Sequence, residues 1–180
     1  MGGANQQERL SQDEGTKWFL AGFIEGEGAL CVSIKHQPTA RFGYYVDPEF
    51  FLYQHVSGRK LLEMARAVFE SGSIHPKPGN PKVLVYAIQD QRTLGEKVVP
   101  FFERYVMPFS CKRETFERFR EILALLDRKE NFTPAGMVRI VEKAYVMNPS
   151  SKGRQRLRSL EEVRERILRD HTPDVPAIAG

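Results

Sequence analysis

Apolar residues run almost unbroken from Trp18 to Ile24, stop at Glu25-Gly26-Glu27-Gly28, and resume as the alternating Ala29-Leu30-Cys31-Val32-Ser33-Ile34-Lys35. The first half predicts a helix from about Thr16 to Glu25. The second predicts a strand, Ala29–His36, with Leu30, Val32 and Ile34 on one face and Cys31, Ser33 and Lys35 on the other. Residues 38–48 contain Gly43 and read as a hairpin connection into an aromatic-rich strand, Glu49–Val56. Gly58 opens a helix whose Leu61, Leu62, Met64, Ala65, Val68 and Phe69 trace one face. Ser71-Gly72 ends it. Two strands follow, Ser73–Lys77 and Val83–Gln89, around the turn Pro78-Gly79-Asn80-Pro81.

Helical patterns occupy the rest: Thr93–Val106, kinked or restarted at Pro100, and Lys112–Arg128. Thr133-Pro134 starts a further helix that runs through Tyr145, and Ser159 with Glu162 makes a capping box for a last one ending near Arg169. The order α-β-β-α-β-β-α predicts an α+β fold: an antiparallel sheet with helices on one face, plus C-terminal helices. Three segments are expected: a polar, flexible N-terminus at 1–14, a core at 15–130, and a helical extension with a basic loop at 131–180. The opening helix has no second copy in the 180 residues.

Charge changes the picture through its distribution. The chain carries a net +4 with a pI near 9.1, yet its first thirty residues hold five acids against two bases. The remainder is therefore strongly basic and suits a polyanion. Cys31 and Cys111 make no disulfide or metal framework, and the histidines fall at no zinc-ligand spacing. No apolar run approaches the ~20 residues of a membrane span. The expectation is an intracellular protein of a prokaryotic cytoplasm or an organelle.

Two acids at the C-terminal end of a helix oppose its dipole at a cost of roughly 0.3–1 kcal/mol each. Small residues at Ala21, Gly22 and Gly26 would let a second helix backbone approach closely. With one such helix per chain, the natural partner is the same helix of a second chain across a two-fold axis. That pairing sets two copies of Glu27 side by side, a negative spot suited to hard divalent cations.

Leu20-Ala21-Gly22-Phe23-Ile24-Glu25-Gly26-Glu27-Gly28 resembles the LAGLIDADG signature of homing endonucleases, departing from it at Phe23, Glu25, Gly26 and Glu27. The element order from 16 to about 128 is similar to that family's core. The resemblance implies a homodimer that cleaves both strands of a long pseudo-palindromic DNA target, using Mg2+ (or Mn2+) held by Glu27 and the Gly26 carbonyl. It also implies an origin within introns, and its alternative is an RNA maturase or a non-cleaving DNA-binding protein of the same fold. Gln54, Arg59 or its neighbour Lys60, and Lys112 or its neighbour Arg113 stand where the resemblance implies a polar and two basic groups around the reacting phosphate. Leu20, Ala21, Gly22, Ile24 and Glu25 would form the dimer interface, with Glu25 holding the helix end.

A two-stranded ribbon fits the major groove, and polar side chains on one of its faces can read base edges. Ser33, Lys35 and Gln37 on the first strand, Arg41 in the connection, and His75 and Lys77 on the third strand are the expected DNA contacts. Lys152 and Arg154, in the basic run Ser150–Arg158, would touch phosphates.

Overall fold

The computed structural model describes residues 13–147 and 158–169. Counting residues 91–106 as one helix, α3, the described elements run α1 (Glu14–Glu27), β1 (Gly28–His36), β2 (Tyr44–His55), α2 (Arg59–Phe69), β3 (Ser73–Lys77), β4 (Asn80–Ile88), α3, α4 (Arg113–Asp127), α5 (Pro134–Met147) and α6 (Leu160–Leu168). The strands bond in the order β1-β2-β4-β3, with β4 antiparallel to both neighbours. This is the expected α+β class.

Three local differences have physical causes. α1 is longer than the apolar run because Asp13 caps it, accepting from Thr16 N at 2.8 Å and Gly15 N at 3.3 Å. Tyr44–Pro48 belongs to β2 rather than to a connection. There the chain turns at Gly43, whose φ of +73° suits a residue without Cβ, and buried Tyr44 and Val46 then alternate with exposed Tyr45. In α3, Pro100 has no N–H for the preceding turn, and the helix widens on either side of Val99–Phe101 into the π-turns Leu94–Val98 and Phe102–Val106.

The chain divides into two compact units, each built from two separated stretches. The first unit joins Met1–Leu30 to Glu49–Phe116. Its core is aromatic: Phe50 packs edge-on against Phe69, Tyr86 and Phe102 at centroid distances of 5.6, 6.4 and 5.5 Å. The Tyr86 hydroxyl donates to the Ser71 carbonyl at 2.8 Å, which satisfies its one polar atom, and burial pushes its pKa up. The second unit joins Cys31–Pro48 to Glu117–Gly180. Phe119, Ile122, Ile140, Val141, Ala144 and Ile167 are fully buried in it. The predicted capping box of α6 is present, with Ser159 and Glu162 bonded reciprocally at 3.1 and 2.6 Å.

Candidate active site and nucleic-acid interface

The C-terminal end of α1 is where the sequence concentrates its chemistry, and the two acids there have separate environments. Glu25 is half-buried, and its carboxylate leaves its own helix. It accepts from Ser110 Oγ at 2.6 Å, from the Cys111 amide at 3.3 Å and from Cys111 Sγ at 3.2 Å. Burial raises its pKa. The Ser110 and Cys111 hydrogen bonds, with the nearby Lys112 ammonium, outweigh that and hold it below the usual carboxylate range. Glu27 stands exposed at the last residue of the helix.

Lys112 closes the same helix end. Its Nζ donates to the carbonyls of Glu25 at 2.5 Å and Gly28 at 3.0 Å. These are terminal acceptors that an α-helix leaves without partners, and a cation there also opposes the negative pole of the dipole. The residues from Ser110 to Lys112 thus dock onto the end of α1 by both side chain and backbone. Ser110 and Cys111 were missed in the sequence because nothing local marks a polar pair as the anchor of an acid 85 residues away.

The expected interface residues divide by helix face. Leu20, Ala21 and Ile24 retain 0, 4 and 1% exposure, so they belong to the chain's own core and offer no surface to a partner. Gly22 faces outward, as do Phe19, at 59% exposure, and Gly26. A Cβ placed on Gly22 or Gly26 would meet nothing within 4 Å. Trp18 and Phe109, both exposed, lie beside this face at a ring separation of 6.1 Å.

Gln54 and Arg59 sit around the start of α2 and bond to near neighbours in sequence. Gln54 Oε1 accepts from the His55 amide at 2.8 Å, and Gly58 packs so close that a Cβ there would lie 2.5 Å from Gln54 Cγ. Arg59 Nε is bonded to Glu63 at 2.8 Å, one turn on. An exposed pair of this kind is worth only about 0.3–0.5 kcal/mol and yields readily to a better anion.

No group of three or more His, Cys, Asp or Glu side chains converges on a metal position among the described residues. The donors at the α1 end are a carboxylate and backbone carbonyls, hard oxygens that fit Mg2+ or Mn2+. With Glu25 bonded to Ser110 and Cys111, Glu27 is the exposed carboxylate at this helix end.

Of the expected DNA contacts, Lys35 is ion-paired with Asp47 of β2, and Gln37 Nε2 bonds Thr39 Oγ1 at 3.3 Å. Ser33 is half-buried on the same strand face as Lys35, and exposed Arg41 lies over the Phe42 ring. In the first unit, His75 and Lys77 are exposed on β3, with Lys77 Nζ 5.1 Å from the Tyr53 ring centre. Lys152 and Arg154 lie outside the described residues, as does most of the N-terminal segment 1–14. No described helix is long and apolar enough to cross a membrane.

A helix ending in paired acids, followed by a ββαββα arrangement, defines the class. Residues 20–123 match the LAGLIDADG endonuclease family, and the chain belongs to it. Among named relatives, it is 43% identical over 128 residues to DNA endonuclease I-CeuI of Chlamydomonas moewusii, covering 71% of this chain and 58% of that protein. It therefore spans little more than half of that relative's length. It is 32% identical over 160 residues to homing endonuclease I-ApeII of Aeropyrum pernix, covering 88% of this chain and 93% of the relative. Its fold is similar to that of the group I intron-encoded homing endonuclease I-CeuI complexed with DNA (TM-score 0.81, 34% identity, 86% of this chain and 77% of that one). It is also similar to the archaeal intron-encoded homing endonuclease I-Vdi141I complexed with DNA (TM-score 0.78, 31% identity, 87% and 96%).

Proposed function

We propose that this chain is a site-specific DNA endonuclease, working as a homodimer with Mg2+ or Mn2+ to hydrolyse both strands of a long pseudo-palindromic target. The observation that carries the reading is Glu27, an exposed carboxylate at the end of a helix whose outward face is apolar. Phe19, Gly22, Phe23 and Gly26 recur at helical spacing on that face, and the bare glycines admit a second backbone. Pairing α1 with its copy covers the exposed apolar surface and sets two Glu27 carboxylates together. Both solved relatives described above were captured on DNA, which supports the same partner class here.

Glu27 and the Gly26 carbonyl would hold the divalent ion, whose chemistry is activation of water and neutralisation of charge on the phosphodiester. The protein's own residues do the placing. Glu25, tied to Ser110 and Cys111, and Lys112, seated on two carbonyls, fix the helix end. The Lys112 ammonium also adds positive charge where the phosphate would lie. Gln54 supplies an amide to orient water, and Arg59 exchanges Glu63 for a phosphate oxygen. Ser33, Lys35, Gln37, Arg41, His75 and Lys77 contact the duplex, joined by Lys152 and Arg154 on the backbone.

Glu27→Gln tests the reading. With Mg2+ present it should abolish cleavage, while equilibrium binding to the same duplex stays within about ten-fold, since a neutral amide removes the ligand and leaves the reading surface intact. Cutting at the wild-type rate by this variant would overturn the assignment.

A further inference from the structure

In the first unit, one sheet face packs on the helices: Phe50, Leu52, Tyr86 and Ile88 point there and keep at most 1% exposure. Strand alternation sends Phe51 and Tyr53 to the opposite face. The register sets Phe51 across from Ala87 and Tyr53 across from Val85, and then Val85 and Ala87 across from His75 and Ser73 of β3. Val85 and Ala87 are already closed over, at 4% exposure each. Phe51 and Tyr53 are half-exposed, with ring centres 6.0 Å apart and planes at 42°. Lys77 lies over the Tyr53 ring, and His75 is exposed beside it.

The centre of this face is thus two aromatic rings over a floor of small apolar side chains, with His75 and Lys77 exposed beyond Tyr53 and, beyond Phe51, buried Glu49 accepting from Gln89 Nε2 at 2.5 Å. Phe51 has no hydrogen-bonding group at all, so it cannot recognise a base by donor and acceptor pattern. The apolar feature that a base pair shows in the major groove is the C5-methyl of thymine, and aromatic and small aliphatic side chains are its usual contacts. A cation at the rim matches a phosphate-lined groove rather than an apolar protein surface.

We propose that Phe51 and Tyr53 read thymine methyl groups in the major groove of the target, with Lys77 on the neighbouring phosphate. The inference rests on the DNA reading given above. It adds the chemical feature recognised by this part of the sheet: specificity here comes from burying a methyl group rather than from hydrogen bonds to base edges.

The test compares a duplex recovered from a random-sequence library by binding to the wild-type chain with the same duplex carrying uracil for every thymine. Loss of each contacted methyl should weaken binding roughly four-fold. Phe51→Ser and Tyr53→Ser should shrink that difference, whereas Phe51→Leu, which keeps an apolar contact, should retain most of it. Equal affinity of the wild-type chain for the two duplexes would overturn the inference and leave the DNA reading standing. A uracil penalty undiminished in both serine variants would do the same. Failure to recover any duplex would overturn both.

Discussion

At the scale of single residues, the two acids of the Glu25-Gly26-Glu27 stretch have opposite fates, which their environments explain. Glu25 is bound by two hydroxyl- or thiol-bearing side chains and an amide, so its ionised form is favoured in the folded protein. Its folded-state pKa lies below the ordinary 4.5. Its contribution to stability is therefore complete above that ordinary value and is lost as pH falls through the lower, folded-state value. Glu25→Gln should cost roughly 1–2 kcal/mol at neutral pH, a charge-assisted bond reduced by partial exposure. In urea titrations the gap between variant and wild type should be widest at neutral pH and close as the buffer is taken below 4.5. A gap that widens on acidification would contradict the role given to Ser110 and Cys111. Neither partner of Glu25 was legible beforehand, because they meet it only through tertiary folding.

At the scale of elements, the close contacts are made by backbone as much as by side chain. The turn of Glu130–Phe132 leads into α5, and a Cβ on Gly136 would fall 2.2 Å from the Glu130 carbonyl oxygen. Backbone cannot swing aside as a flexible side chain can. Gly136→Ala should therefore destabilise the protein by about 1–3 kcal/mol despite its better helix propensity, seen as a lowered midpoint in thermal unfolding. The sign is informative, since the same change at a helix position with open space would be stabilising. Most element boundaries followed from periodicity and capping signals. β2 was underestimated because Gly43 and the polar residues around it look like a longer turn. The π-turns of α3 were invisible, since Pro100 announces only that a hydrogen bond is lost and not how the helix accommodates the loss.

At the scale of the whole molecule, the outward face of α1 sets the expected assembly. An apolar stripe of exposed Phe19, Gly22 and Gly26 with half-buried Phe23 is a surface that a monomer has no reason to keep. The wild-type chain should sediment with the mass of two chains. Gly22→Leu should shift it towards one, because the added bulk holds the helix backbones apart while meeting nothing within its own chain. An intact dimer in that variant would place the interface elsewhere. The choice of position depended on the structure: α1 is apolar nearly all round, so its periodicity could not say which side faces the core. Leu20, Ala21 and Ile24, offered by the motif as interface, proved to be the side already buried.

What the sequence determined by itself is the local and the covalent. Turn residues, caps and hydrophobic periods specify the order of helices and strands. The nine residues from Leu20 to Gly28 point to the family, and the spacing of two acids around a glycine marks the helix end proposed to hold the metal. Tertiary structure decided whatever depends on a partner distant in sequence or on a choice between two similar faces. It assigned Glu25 to Ser110 and Cys111, and Lys112 to the carbonyls of Glu25 and Gly28. It also decided which way Phe51 and Tyr53 point. Over Phe50–Tyr53 and Val83–Ile88 the residues on both faces are apolar, so alternation carries no contrast there, and only pairing with β3 and packing on the helices separates the core face from the opposite one.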